Sequence, residues 1–149
     1  MKKKILSMSP GRDLDIEVAL QVMGFIWLKH LLQFSAELAV KWLGTPVDIQ
    51  QSGGVYTALT KESEMVSLKL RENFDEAVPH YSTQMSAAGQ VLAFMETQGY
   101  TYSFEMKAEQ DKALYYGVFD KSGTTSRVAA VACHSEAEAI VKAAVMAIS

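Results

Sequence analysis

Residues 79–106 read PHYSTQMSAAGQVLAFMETQGYTYSFEM, and this stretch decides the fold. Ser82 or Thr83 stands where a helix N-cap belongs, because a short hydroxyl side chain accepts from a free backbone N–H of the first turn. Met85, Ala88, Leu92 and Met95 then recur at the helical period, and Gly99 ends the run. Without a break the pattern changes to period two. Tyr100, Tyr102, Phe104 and Met106 alternate with Thr101, Ser103, Glu105 and Lys107. A strand with one apolar and one polar face belongs to an antiparallel sheet carrying helices.

Working towards the C-terminus, Glu109-Gln110-Asp111 turns that strand into ALYYGVF (113–119), and Asp120-Lys121-Ser122-Gly123 turns it again into RVAAVAC (127–133). Three strands in a meander follow. A last helix opens with Ser135 and Glu138 spaced as a capping box, and Ile140, Ala143, Ala144, Ala147 and Ile148 give it a small-residue apolar face.

Towards the N-terminus the pattern is less regular. Residues 1–12 read as a flexible leader ending in the turn cluster Ser9-Pro10-Gly11, and Leu14, Val18, Val22 and Phe25 start a helix at Asp13. The run FIWLKHLLQFSAELAVKWLG (25–44) reads as an extra helix, closed by Gly44 and Pro46. Leu28, Leu31, Leu32, Leu38, Ala39 and Trp42 form its stripe, with Trp27 and Phe34 lying off it. A helix apolar on more than one side is deeply packed or meets another chain. Between 47 and 78, VYTALT (55–60) and MVSLKL (65–70) read as short strands joined by Lys61 to Glu64 as a hairpin, before the polar connection RENFDEAVP.

These elements predict an α+β fold, a three-layer α/β/α sandwich with a central, largely antiparallel sheet. Residues 13–149 form its single domain, with 26–44 as an inserted helix in the N-terminal half.

Composition narrows the function classes. The chain has 149 residues, 49% hydrophobic and 21% charged, with a net charge of −3, the balance of an ordinary globular protein. Lys2, Lys3 and Lys4 read as a solvated tail, and no basic stripe points to nucleic acid. The single cysteine, Cys133, forms no intramolecular disulfide. Lys29, His30, Gln33, Ser35, Glu37 and Lys41 interrupt the longest apolar stretch, so no membrane span is expected. The cytoplasm of a microbial host cell is the expected location.

Candidate sites are few. Cys133-His134 pairs a thiol with an imidazole, but neighbouring strand residues point to opposite faces, and a core thiol beside a loop histidine is the simpler reading. His30, His80 and His134 lie on different elements without metal-ligand spacing, so no metal and no cofactor are expected. Gly53-Gly54 lacks the lysine and hydroxyl residue of a phosphate loop. The helix start His80-Tyr81-Ser82-Thr83 is the one anion candidate. Free backbone N–H groups, two hydroxyls, a ring for stacking and charge from Arg127 would suit a small phosphorylated ligand. The competing reading is a cap and nothing more.

DLDIEVALQVMGF (13–25), YSTQMSAAGQVLAFMETQGY (81–100) and HSEAEAIVKAAVMAI (134–148) together resemble the phage ABA sandwich domain family. The resemblance rests on the order of Val22-Met23-Gly24-Phe25, Ser82-Thr83 with Ala87-Ala88, and Ser135-Glu136 through Ala147. The chain departs from the family in the helix read over 26–42 and in Val141, where many members carry cysteine. The resemblance implies a phage or prophage origin and a helix–sheet–helix sandwich; most members have no established biochemical activity. The expected function is therefore a non-enzymatic accessory protein that acts by binding, as a homo-oligomer meeting its copy through Trp27, Phe34 and Trp42. A second reading is a protein that sequesters a nucleotide signal of host defence. The third, a small enzyme using scattered His, Cys and carboxylates, has no catalytic residue to name.

Overall fold

The computed structural model describes residues 2–30, 40–109, 112–121, 127–129, 133 and 135–148. They fall into two compact units, one of Met1–Met23 with Pro79–Ser149 and one of Gly24–Val78. The chain thus carries a second body within the sequence of the first, where one domain over 13–149 was expected. In chain order the first body begins with α1 (Lys2–Ser7) and α2 (Arg12–Gln21). The second holds β1 (Ile26–His30), β2 (Val40–Gly44), α3 (Pro46–Gln51), β3 (Tyr56–Ala58), α4 (Glu62–Ser67) and β4 (Lys69–Leu70). The first then resumes with α5 (Met85–Thr97), β5 (Tyr100–Glu109), β6 (Lys112–Lys121), β7 (Arg127–Ala129) and α6 (Glu136–Ile148). The class is α+β.

In the first body the sheet runs β5-β6-β7, antiparallel throughout, as the meander required. Gly117 on β6 shows how closely α6 approaches it: an added Cβ would stand 2.8 Å from the Ala139 carbonyl oxygen. Residues 137–145 of α6 are buried without interruption. A helix enclosed on every side needs small residues where neighbours press closest, and its alanines supply them. Glu138 and Lys142 are buried with it, their charges paired at 2.6 Å, and the Lys142 ammonium also donates to the Leu6 carbonyl of α1 at 3.1 Å. Ser135 caps α6 as read, its Oγ accepting the Glu138 N–H at 3.2 Å.

Residues 2–7 are consequently a helix, with Ile5 fully buried, and correct the flexible leader expected over 1–12. α5 also starts later than expected. Gln84 is its N-cap residue and makes no side-chain cap bond, so neither Ser82 nor Thr83 caps it.

The larger correction lies in the second body. The helix read over 26–44 is replaced at both ends by strands: β1 and β2 pair antiparallel with Ile26 opposite Gly44 and Leu28 opposite Trp42, in a sheet ordered β3-β1-β2-β4. The hairpin expected over 55–70 is replaced by β3, the helix α4, and β4, which runs parallel to β2. The reason is in the register. Leu28 and Trp42 share one face, Trp27 and Leu43 the other, and Leu28, Trp42 and Leu43 are all buried. Strands apolar on both faces lose the period-two signature and pass for helix. Lys29 and Lys41 face each other across the pair, and α4 resolves the repulsion: Lys29 pairs with Glu64 and Lys41 donates to the Met65 carbonyl.

Candidate functional site

The residues of the expected anion site come first. Tyr81 is 1% exposed and Ser82 fully buried, so the ring is closed to stacking and the hydroxyl to any ligand. What they meet is internal. The buried Asp15 carboxylate of α2 accepts the Ser82 N–H at 2.7 Å and the Ser82 hydroxyl at 2.6 Å, while Arg12 donates to its other oxygen at 2.9 Å. Gly11 donates its N–H to Ser82 Oγ at 2.9 Å from a backbone with φ +154°, a conformation glycine adopts freely. The anion suited to this turn is therefore the protein's own. The Tyr81 phenol is pushed up to about 12, first by burial and then by the Asp15 charge. His80 and Thr83 remain exposed, and His80 Nδ1 lies 3.3 Å from the Arg12 guanidinium. The side chain of Arg127, on β7, lies outside the described residues.

The thiol is enclosed as well. Cys133 is 1% exposed and bridges to Tyr115 through its backbone. Burial, and then the Glu138 charge against an opposing pull from Lys142, raise the thiol to about 11, so at neutral pH it stays protonated. His134 and the side chain of His30 lie outside the described residues. Among those residues no group of three or more His, Cys, Asp and Glu could hold a metal ion.

Of the three expected interface residues, Trp27 stacks on Phe74 at 6.0 Å with the Lys41 ammonium over its ring. Phe34 lies outside the described residues. Trp42 is 8% exposed and sits at the centre of an arrangement the sequence did not suggest.

That arrangement is a pocket on one face of the second body's sheet. Trp42 of β2 and Tyr56 of β3 project on the same side because both strands pair with β1, Trp42 opposite Leu28 and Tyr56 opposite His30. Their rings meet edge to face at 4.8 Å. Arg71 follows β4, its N–H held by the Lys41 carbonyl at 2.9 Å, which carries the parallel pairing one step further and brings its side chain beside Trp42. The guanidinium carbon lies 5.3 Å from the Trp42 ring centre, within cation–π range. It has no carboxylate partner among the described residues, and the residue is exposed.

Two adjoining cavities share these three side chains. One, of about 250 Å³, is completed by Val40; the other, of about 200 Å³, reaches Asp48, Asn73, Phe74 and Glu76. Asp48 is fixed by accepting the Thr45 N–H at 2.8 Å, and Asn73 turns the chain with φ 58°, a left-handed conformation asparagine tolerates. An aromatic wall with an exposed guanidinium at its rim holds a planar group by contact and an anionic group by charge-assisted hydrogen bonds. Sequence reading missed it because Arg71 and Tyr56 lie fifteen residues apart in the least regular part of the chain, and only the strand order brings them together.

No helix among the described residues is long and apolar enough to cross a membrane. No family model, curated protein or solved structure matches the chain.

Proposed function

We propose that the chain is a non-enzymatic binding protein whose ligand is a small, planar, anion-bearing molecule held by Trp42, Tyr56 and Arg71. The observation that carries this reading is the Arg71 guanidinium, over the Trp42 ring at 5.3 Å and without a carboxylate partner among the described residues. An arginine kept beside an aromatic wall at the mouth of a cavity offers both contacts that a nucleotide-like molecule needs: a surface for its ring and a fork of donors for its phosphate. The cavities, at about 200 and 250 Å³, suit one ring system rather than a large cofactor.

Cys133, the residue weighed as a nucleophile, is buried, which supports the binding reading. Taken with the sequence resemblance to small phage proteins, the reading becomes a phage or prophage accessory protein of the host cytoplasm that sequesters a nucleotide signal. Thermal-shift assays against mononucleotides, cyclic nucleotides and aromatic carboxylates test it. A rise in melting temperature for wild type that is lost in Arg71→Gln supports the proposal. No shift with any anionic planar compound, or an equal shift in Arg71→Gln, sinks it.

A further inference from the structure

We propose that β5 is the contact surface for a second copy of this chain, the two β5 strands pairing antiparallel about a two-fold axis at Met106. β5 is the outer strand of its sheet, ten residues long and paired with β6 in an unbroken register from Tyr100–Lys121 to Glu109–Lys112. It contains no proline and no bulge, the usual devices that close an edge to further pairing. Alternate residues of an edge strand turn their N–H and C=O groups away from the sheet. Residues 103–108 are all exposed, including Phe104 at 45% and Met106 at 61%.

The side chains select one register. A two-fold axis normal to a sheet keeps each face on its own side, so an exposed residue meets its own equivalent at the axis, and its neighbours meet across it in order. With Met106 at the axis, Glu105 lies opposite the partner's Lys107 and Lys107 opposite the partner's Glu105. Two complementary pairs form on the polar face. On the other face Met106 meets the partner's Met106, and Phe104 meets the partner's Ala108, apolar against apolar. Shifting the axis by one residue brings Glu105 against the partner's Glu105, or Lys107 against the partner's Lys107. At Phe104 the axis leaves both charges without an opposite. An axis at Ala108 sets Lys107 opposite the partner's Glu109, but Glu105 then falls opposite the partner's position 111, beyond the end of β5, so only residues 107–109 pair. Opposite charges directly across strands are favourable and like charges unfavourable, so the Met106 register is the one that combines two complementary charge pairs with the longer run of paired strand. The occupant is accordingly a second copy, joining two three-stranded sheets into one of six.

Cross-linking reads that register directly. Met106→Cys places two cysteines opposite each other at the axis, within the span a disulfide bridges, whereas Phe104→Cys separates them by four residues of strand. The native Cys133 is buried and stays out of the reaction. Mild oxidation should convert Met106→Cys to a covalent dimer and leave Phe104→Cys largely unlinked. In light scattering, wild type should be a dimer that Glu105→Lys weakens about tenfold through its two repulsive pairs, with Glu105→Lys/Lys107→Glu restoring it. A monomeric wild type, equal cross-linking of the two cysteine variants, or a double swap no tighter than the single reversal would overturn the proposal.

Discussion

Ser82 Oγ lies 2.6 Å from Asp15 Oδ1, joining residues 67 apart in sequence in a site closed to water. The carboxylate takes two bonds from Ser82 and one from Arg12, so the turn before α5 and the first turn of α2 are held together by one buried charge. Asp15→Asn leaves these donors facing a neutral amide and should lower stability by about 3 kcal/mol, while Ser82→Ala should cost about 1–3 kcal/mol. Urea denaturation followed by tryptophan fluorescence and circular dichroism measures both. A loss under half a kilocalorie in either would show that the cluster does not hold the turn.

Tyr81 gives the cluster a pH signature. Its pKa is raised from 10.0 to about 12 by burial and by Asp15, so the folded state favours the neutral phenol. The associated stability is fully present below pH 10 and is lost as pH rises through about 12. Wild type should therefore destabilise over that window, and Tyr81→Phe should follow a shallower curve. Identical alkaline curves for the two proteins would refute the assignment.

Cys133 should be inert at neutral pH. A thiol held at about 11 and 1% exposed has almost no reactive thiolate, so an aromatic disulfide reagent should label native protein slowly and urea-unfolded protein at once. Fast labelling of the native chain would reopen a chemical role for this residue.

The Glu138–Lys142 pair, 2.6 Å apart and 5–6% exposed, ties α6 to α1 through the Leu6 carbonyl. Removing one partner strands the other in the interior, and Glu138→Gln or Lys142→Met should each cost about 3–5 kcal/mol. The double variant Glu138→Leu/Lys142→Met should recover part of that loss. Thermal denaturation of the three proteins decides, and a double variant no more stable than either single one would contradict the pairing.

Local periodicity placed the elements of the first body from Met85 onward. β5 and α5 stand where the two periods placed them, and the α6 cap at Ser135 is where the sequence put it. Their apolar sets hold only in part: on β5 Tyr100 and Tyr102 are partly covered while Phe104 and Met106 are exposed, and α5 buries Ala87, Ala88, Val91 and Met95 and leaves Met85 exposed. Periodicity failed where both faces are apolar. Trp27-Leu28 and Trp42-Leu43 are adjacent large side chains on paired strands, and without polar alternation their spacing mimics a helix. The expected anion site failed for a different reason: Ser82 has the identity of a cap, but its partner is Asp15 rather than an N–H of α5, and a contact across 67 residues leaves no local trace. The Trp42–Tyr56–Arg71 pocket was equally invisible, since it exists only through the order of four strands.

The most direct measurement is isothermal titration of wild type and Arg71→Gln with the anionic planar compound giving the largest thermal shift. Arg71 is exposed and only its guanidinium lies over Trp42, so the variant should fold normally. One site per chain in wild type, weakened about 10–100-fold in Arg71→Gln, is the predicted result. Equal affinity in the two proteins would contradict the proposed pocket.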